Sequence, residues 1–310
     1  MSSYKYLFGP VLSRRLGISL GVDPVPFKTC TYNCVYCECG ATKEKSTVRK
    51  EYIKIAPILE ELDDFLSKGP EIDYVTFSGG GEPTLNSGIG RVVKFIKERY
   101  SQYKTALLTN GSLLYRDDVI EDIKDCDLVI PSVDAVNEET FKEINDPAEG
   151  FRQARVIEGI KKLRLKSSAD IWVEIFIVPG INDTPEEINK LKESLLNVKP
   201  EKIQLNCLDR PGTRQWVETP TAEKLKEIQR ELQPLNAEII GRYKGKKKEA
   251  TGLTADLEKR ILNLVKRRPC TAENISNSFG VKIGTVRRNL RKLENCGKIT
   301  WQKKRKGRIL

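Results

Sequence analysis

Histidine does not occur anywhere in the 310 residues. That removes mixed cysteine–histidine metal sites, a common form of structural zinc, and leaves no imidazole to act as a base. No uninterrupted apolar run approaches the ~20 residues that a membrane helix needs. The N-terminal stretch MSSYKYLFGPVLSRR lacks a basic start followed by an apolar core, so no secretory signal is read there and the cytoplasm is the expected compartment. In that reducing setting, clustered thiols are expected to bind metal or do chemistry rather than form disulfides. Internal repeats are also missing. The apolar share of 39% and the charged share of 31% fit a soluble globular chain, long enough for one large domain and a small one.

The net charge of +11 is unevenly distributed. Residues 241–310 carry 21 Lys and Arg against 5 Asp and Glu, a local +16, whereas residues 1–240 carry 33 against 38, or −5. A compact basic module on a mildly acidic body points to a polyanionic partner, nucleic acid above all. A merely solvated lysine-rich end is the bland alternative.

From about residue 15 to 240, short β-branched or apolar runs alternate with longer helical patterns, as βα units do. Strands are expected at 18–23, 74–79, 105–110, 128–134, 171–178 and 202–208. A helix is expected at 87–100, where Ile89, Val92, Val93, Phe95 and Ile96 form a stripe. A closed eight-stranded barrel takes ~250 residues, so six strands predict an incomplete barrel over residues 1–240. The Gly- and Lys-rich segment 241–252 reads as a basic linker. Residues 253–310 then change character. One helix starts near Thr254 as N-cap, and a short one runs from Thr271 to Gly280. A third, 282–295, sets Val286, Leu290 and Leu293 inward. A basic hairpin follows. This is the pattern of a winged helix-turn-helix whose third helix, with Arg287, Arg288, Arg291 and Lys292, would be the recognition element. Lys303, Lys304, Arg305 and Lys306 would form the wing.

The stretch KTCTYNCVYCECG, residues 28–40, packs four of the eight cysteines together. Cys30, Cys34 and Cys37 have the spacing C-x3-C-x2-C. Three thiolates on one loop can hold three irons of a cubane and leave the fourth open for chemistry. Cys39 could instead complete a four-thiolate zinc knuckle, or be a surface thiol. Cys207 is expected to face the helices as a small core residue, and Cys126, Cys270 and Cys296 form no second triad.

With Tyr36 just before its last cysteine, this spacing resembles the signature of radical S-adenosylmethionine (SAM) enzymes. A second motif agrees: Gly80, Gly81, Glu82 and Pro83 after the strand at 74–79 resemble the glycine-glycine-glutamate-proline element of that family. Glycines there let the backbone approach a ligand, and a carboxylate with bare carbonyls would suit the methionine amine. The alternative is a tight strand-to-helix turn with an exposed Glu82. The resemblance covers roughly residues 15–240 and implies a partial (β/α)6 TIM-like barrel with a [4Fe-4S] cluster on Cys30, Cys34 and Cys37. It also implies SAM on the fourth iron, reductive cleavage to a 5′-deoxyadenosyl radical, and a flavodoxin- or ferredoxin-type electron donor. Cluster ligation and radical chemistry need no histidine.

Functional residues of parallel barrels gather at the C-terminal ends of strands. Those ends hold Asn110, Ser132 with Asp134, and Gln204 with Asn206, each pair sharing a face by period-two alternation. The resemblance places Ser132 and Asp134 toward ribose or substrate, and the residues around Gly180 and Leu208 toward adenine. Glu174, deeper in its strand with Trp172 and Phe176, needs a partner if buried: an ion pair or a catalytic role. The substrate expected from the basic module is RNA, such as tRNA. Some relatives convert a tRNA guanine to a tricyclic base, but they carry an upstream cysteine set, and here no cysteine precedes Cys30. A peptide or protein docked on the winged helix, and a metal- or redox-sensing DNA-binding regulator, are the competing readings.

Overall fold

The computed structural model describes residues 4–240, 257–267, 269–304 and 307–309. The chain opens with a hairpin, β1 (Leu7–Ser13) and β2 (Gly17–Val22), followed by two short strands, β3 (Thr29–Cys30) and β4 (Glu44–Lys45), paired with each other. Then come α1 (Ile55–Leu66), β5 (Tyr74–Phe77), α2 (Ile89–Arg99), β6 (Lys104–Thr109), α3 (Asp117–Ile123), β7 (Leu128–Pro131), α4 (Glu138–Asn145) and α5 (Ala154–Lys166). The barrel region ends with β8 (Asp170–Phe176), α6 (Pro185–Val198), β9 (Lys202–Asn206), α7 (Ala222–Glu231) and β10 (Ala237–Ile239).

The main sheet has the order β1-β2-β5-β6-β7-β8-β9-β10 and does not close, since β1 and β10 are its two ends. It is a partial barrel, parallel except for β1. All six expected strands are present. The expected count is corrected to eight: β1 pairs antiparallel with β2 through an irregular register between Phe8 and Val11, and β10 is three residues long. Neither has the long alternating run by which strands are read from sequence.

Alternation sorts side chains between two environments. On β8, Ile171, Val173 and Ile175 point outward into the main core shared with the helices. Trp172 packs in a small interior cluster with Leu16, Ala106, Leu128 and Ile130. The helices bury one stripe each, as in α1, where Ile55, Ile58, Leu62 and Leu66 recur every three or four residues. Cys207 is buried in that same outer core, as expected.

The C-terminal module comprises α8 (Leu257–Arg267), α9 (Ala272–Phe279), α10 (Ile283–Asn295) and a hairpin of β11 (Gln302–Lys304) and β12 (Gly307–Ile309). Thr271 and Asn274 form a reciprocal capping box at the start of α9, and Gly280 ends it with φ 64°. Ile261, Ile275, Phe279, Val286, Leu290 and Leu293 form its core. The expected linker 241–252, the cap at Thr254, and Arg305 and Lys306 lie outside the described residues. No helix among the described residues is long and apolar enough to cross a membrane.

Candidate active site

The loop carrying Cys30, Cys34 and Cys37 sits on the C-terminal end of α4. Helix ends leave carbonyls without intrahelical partners. Here the loop supplies them: Asn33 N–H donates to the carbonyls of Asn145 (3.1 Å) and Asp146 (3.0 Å), and Val35 N–H to that of Ile144 (2.9 Å). The other flank is clamped by the segment after β9. Thr213 Oγ1 donates to the Cys37 carbonyl (3.2 Å), and Arg214 N–H to that of Val35 (2.9 Å). Lys28 opens the loop with φ 67°, a left-handed conformation uncommon for a residue other than glycine. Its N–H donates to the Gly80 carbonyl (2.8 Å), which ties the loop to the GGEP turn.

Each of the three sulfurs receives one N–H donor from a side chain. Asn110 Nδ2 lies 3.5 Å from Cys30 Sγ, Asn145 Nδ2 lies 3.5 Å from Cys34 Sγ, and Lys28 Nζ lies 3.2 Å from Cys37 Sγ. Burial pushes the Cys30 thiol up to about 12 and raises Cys34 as well. Cys37 is lowered to about 6, first by the Cys39 thiol and then, against its own burial, by the Lys28 ammonium. Cys39 itself is half-buried, with Sγ 3.9 Å from the Gly79 carbonyl oxygen. The Tyr32 hydroxyl is buried without a hydrogen-bond partner among the described residues.

At the turn after β5 the Glu82 carboxylate is not exposed, which corrects the exposed-turn alternative. It is 2% exposed, and accepts from Thr84 N–H (3.1 Å), Thr84 Oγ1 (2.6 Å), Thr109 Oγ1 (2.6 Å) and Asn110 N–H (2.8 Å). Burial raises its pKa even so. Glu82 therefore fixes the turn to the end of β6 and orients Asn110. The space beside the glycines is also filled by protein: a Cβ on Gly80 would strike the Phe27 ring, and one on Gly81 the Thr29 carbonyl. The glycines bring this turn flush against the loop of Cys30. Pro83 starts the single 3-10 turn that follows.

Asp134 is likewise committed. Its carboxylate, 2% exposed, accepts from Tyr36 Oη (2.6 Å), Asn145 Nδ2 (2.7 Å) and Phe176 N–H (2.8 Å). Burial lifts it to about 6 despite these donors. Tyr36, held by that bond, stacks on Phe176 with ring centroids 3.8 Å apart. Ser132 lies next to it, in a bridge with Glu174. Lower in the barrel, Gln204 and Asn206 do share a face, but as parts of a polar network. Arg15, from the β1–β2 turn, pairs with Glu174 and donates to Gln204 Oε1 (3.4 Å). Gln204 Nε2 donates to Glu238 (2.9 Å), and Asn206 Nδ2 to Glu174 (3.2 Å). The ion-pair reading of Glu174 is thus realised, with a partner from the hairpin. Arg15, Lys28, Tyr32 and Asn145 went unread in the sequence. Lys28 and Tyr32 lie within the cysteine stretch 28–40, whereas nothing local to Arg15 or Asn145 marks them.

The Radical SAM superfamily pattern matches residues 25–194. A UPF0026 protein of Methanocaldococcus jannaschii is 34% identical, with 97% of each chain covered. The chain is a member of the radical SAM superfamily. It is also 34% identical to a Brachyspira hyodysenteriae protein named GTPase Obg, covering 95% of this chain but only 43% of that one. Among solved structures, the fold is shared with TYW1 carrying a lysine-pyruvate adduct (TM-score 0.53, 18% identity, 69% of this chain and 72% of that one). Streptococcus suis SuiB bound to its precursor peptide SuiA is similar too (TM-score 0.54, 14% identity, 71% and 48%). The arsR-family pattern of bacterial regulatory proteins matches residues 259–300, in the winged helix.

Radical SAM enzymes use a [4Fe-4S] cluster and SAM. The donor set of this chain fits the cluster. Buried thiols that resist ionisation need cationic compensation, and N–H donors aimed at all three sulfurs suit negatively charged sulfur. A cubane takes each thiolate on a different iron, so three cysteines suffice to hold it.

The winged helix is seated against the hairpin and this loop. Val11 of β1 packs with its core, Arg260 donates to the Pro10 carbonyl, and Arg267 pairs with Asp23 while covering the Phe8 ring at 4.4 Å. Asp23 in turn accepts from Gly80 N–H (3.3 Å). Arg210, 7% exposed, bridges the two parts. Its NH1 pairs with Glu38 (2.9 Å), between Cys37 and Cys39, and its NH2 reaches Ser278 Oγ on α9 (3.4 Å).

Proposed function

We propose that this radical SAM enzyme modifies RNA, of the tRNA class, held by the winged helix next to the barrel mouth. In this reading residues 1–240 form the catalytic unit and 253–310 the recruiting module. Cys30, Cys34 and Cys37 hold the cluster, while Tyr36, Asn110 and the main chain of Gly79–Gly81 border the SAM site. When bound, the cofactors supply a 5′-deoxyadenosyl radical that takes a hydrogen atom from the substrate. The chain's own residues hold the loop, orient Asn110 through Glu82, and set Tyr36 through Asp134.

The carrying observation is placement. The module bearing α10 is anchored by Arg210 and Arg267 to the two segments that flank the cysteines. On α10, Arg288 and Arg291 are exposed, while Arg287 pairs with Glu273 (3.1 Å) and Lys292 with Glu258 (2.5 Å). Lys303 and Lys304 lie on β11. A basic helix facing solvent suits phosphate contacts.

The test uses anaerobically reconstituted protein with SAM, reductant and total tRNA. 5′-Deoxyadenosine should form, and binding should weaken steeply with salt. An R288E/R291E double variant should still cleave SAM while its salt slope falls by about two contacts. No cleavage by wild type would remove the enzyme reading. Unchanged RNA binding by the variant would remove the recruitment reading and leave a peptide substrate, of the kind seen with SuiB, as the alternative.

A further inference from the structure

The three sulfurs are not equivalently solvated by the protein. Cys30 and Cys34 each face a neutral carboxamide, Asn110 and Asn145, at 3.5 Å, whereas Cys37 faces the ammonium of Lys28 at 3.2 Å. Lys28 is 3% exposed, a burial that lysine rarely tolerates without compensation. Three main-chain bonds fix it. Its N–H donates to the Gly80 carbonyl (2.8 Å), and its carbonyl accepts from Lys43 N–H (3.0 Å) and Glu44 N–H (3.1 Å). Its left-handed backbone, φ 67°, lies where glycine or asparagine is usual. A lysine kept there against both backbone preference and desolvation is explained by what its ammonium touches.

We infer that Lys28 is a positioning residue for the redox step. Its positive charge on the Cys37 sulfur would favour the reduced form of a cluster held there, and so would set how readily that cluster takes up an electron. The inference rests on the cluster-ligand reading above. Reduction adds one electron, taken from the external low-potential donor, to a cluster already bound by anionic thiolates. The added charge is then stabilised by a cation in a poorly solvated environment, where charge–charge interactions are screened least. Net charge, hydrogen bonds to sulfur and exposure are the levers by which proteins move such potentials. The carboxamides supply only the hydrogen-bond lever at Cys30 and Cys34, while Lys28 adds a full charge at Cys37.

The experiment is an EPR-monitored redox titration of the reconstituted full-length chain, with iron per chain measured alongside. Wild type is compared with Lys28→Arg, which keeps the charge, and with Lys28→Met and Lys28→Gln, which remove it. The neutral variants should hold wild-type iron yet be reduced at least about tenfold less favourably, a downward shift of about 59 mV for a one-electron couple. Lys28→Arg should stay within a factor of about three. Neutral variants with full iron and an unchanged midpoint would overturn the inference. So would loss of iron in both, because Lys28 would then be only a strut of the loop. Wild type that forms no cubane signal would instead overturn the ligand assignment itself.

Discussion

Replacing Arg210 with methionine tests whether the winged helix and the cysteine loop are mechanically joined. Arg210 and Glu38 are 2.9 Å apart, with side chains 6% and 12% exposed. At an effective dielectric of about 20, this separation corresponds to roughly 6 kcal/mol of gross attraction, most of which desolvation cancels. Removing one partner of a buried pair costs about 3–5 kcal/mol, because the other is left charged. Two features put Arg210→Met at the low end. Glu38 keeps the N–H donors of Asp209 and Arg210, both at 3.1 Å. The Arg210 Nε is already buried without a partner, so its removal returns about 1 kcal/mol. A net loss of about 2 kcal/mol follows. Urea unfolding at equal iron loading would measure it, and a cycle with Glu38→Gln would isolate the coupling. Because Glu38 lies between Cys37 and Cys39, the variant should also release iron faster to a chelator. A stability loss below about 0.5 kcal/mol, the range of a neutral surface change, would refute the link.

Asp134 sits at about 6 in the native protein, above the usual carboxylate value of 3.8, so the native state binds a proton that the unfolded chain releases. Its contribution is complete below about pH 4 and disappears as pH rises through about 6, a change of about 3 kcal/mol. The stability of wild type relative to Asp134→Asn should therefore decline across that window, and parallel pH–stability curves would count against it. Gly81→Ala places a methyl against the Thr29 carbonyl. It should cost about 1–3 kcal/mol as an overpacked site and lower retained iron, whereas wild-type values for both would contradict the close approach.

The six expected strands and the three module helices were legible because their apolar residues follow the period of the element: Ile171, Val173 and Ile175 outward, Val286, Leu290 and Leu293 inward. Cys30, Cys34, Cys37 and Asn110 could be placed at one end of the barrel for a similar reason, since motif spacing and strand ends are local. The targets of carboxylates were not legible. Glu82 and Asp134 look like ligand contacts in sequence, yet their acceptors are filled by Thr84, Thr109, Tyr36 and Asn145. Three of those partners are 11 to 98 positions away. Arg15 and Lys28 escaped notice on the same grounds: a charge becomes meaningful only when the fold brings Glu174 or Cys37 to it.

The outermost strand of the sheet, β1, contains Pro10, which has no N–H to offer, and an irregular register that bends it. What Pro10 does offer, its carbonyl, is taken by Arg260, while Val11 and Phe8 are covered by side chains of the module. The appended module thus also serves as the cap of an open sheet, shielding the edge from which chain-to-chain strand addition would start. A barrel of this kind without the module would need another way to blunt that edge.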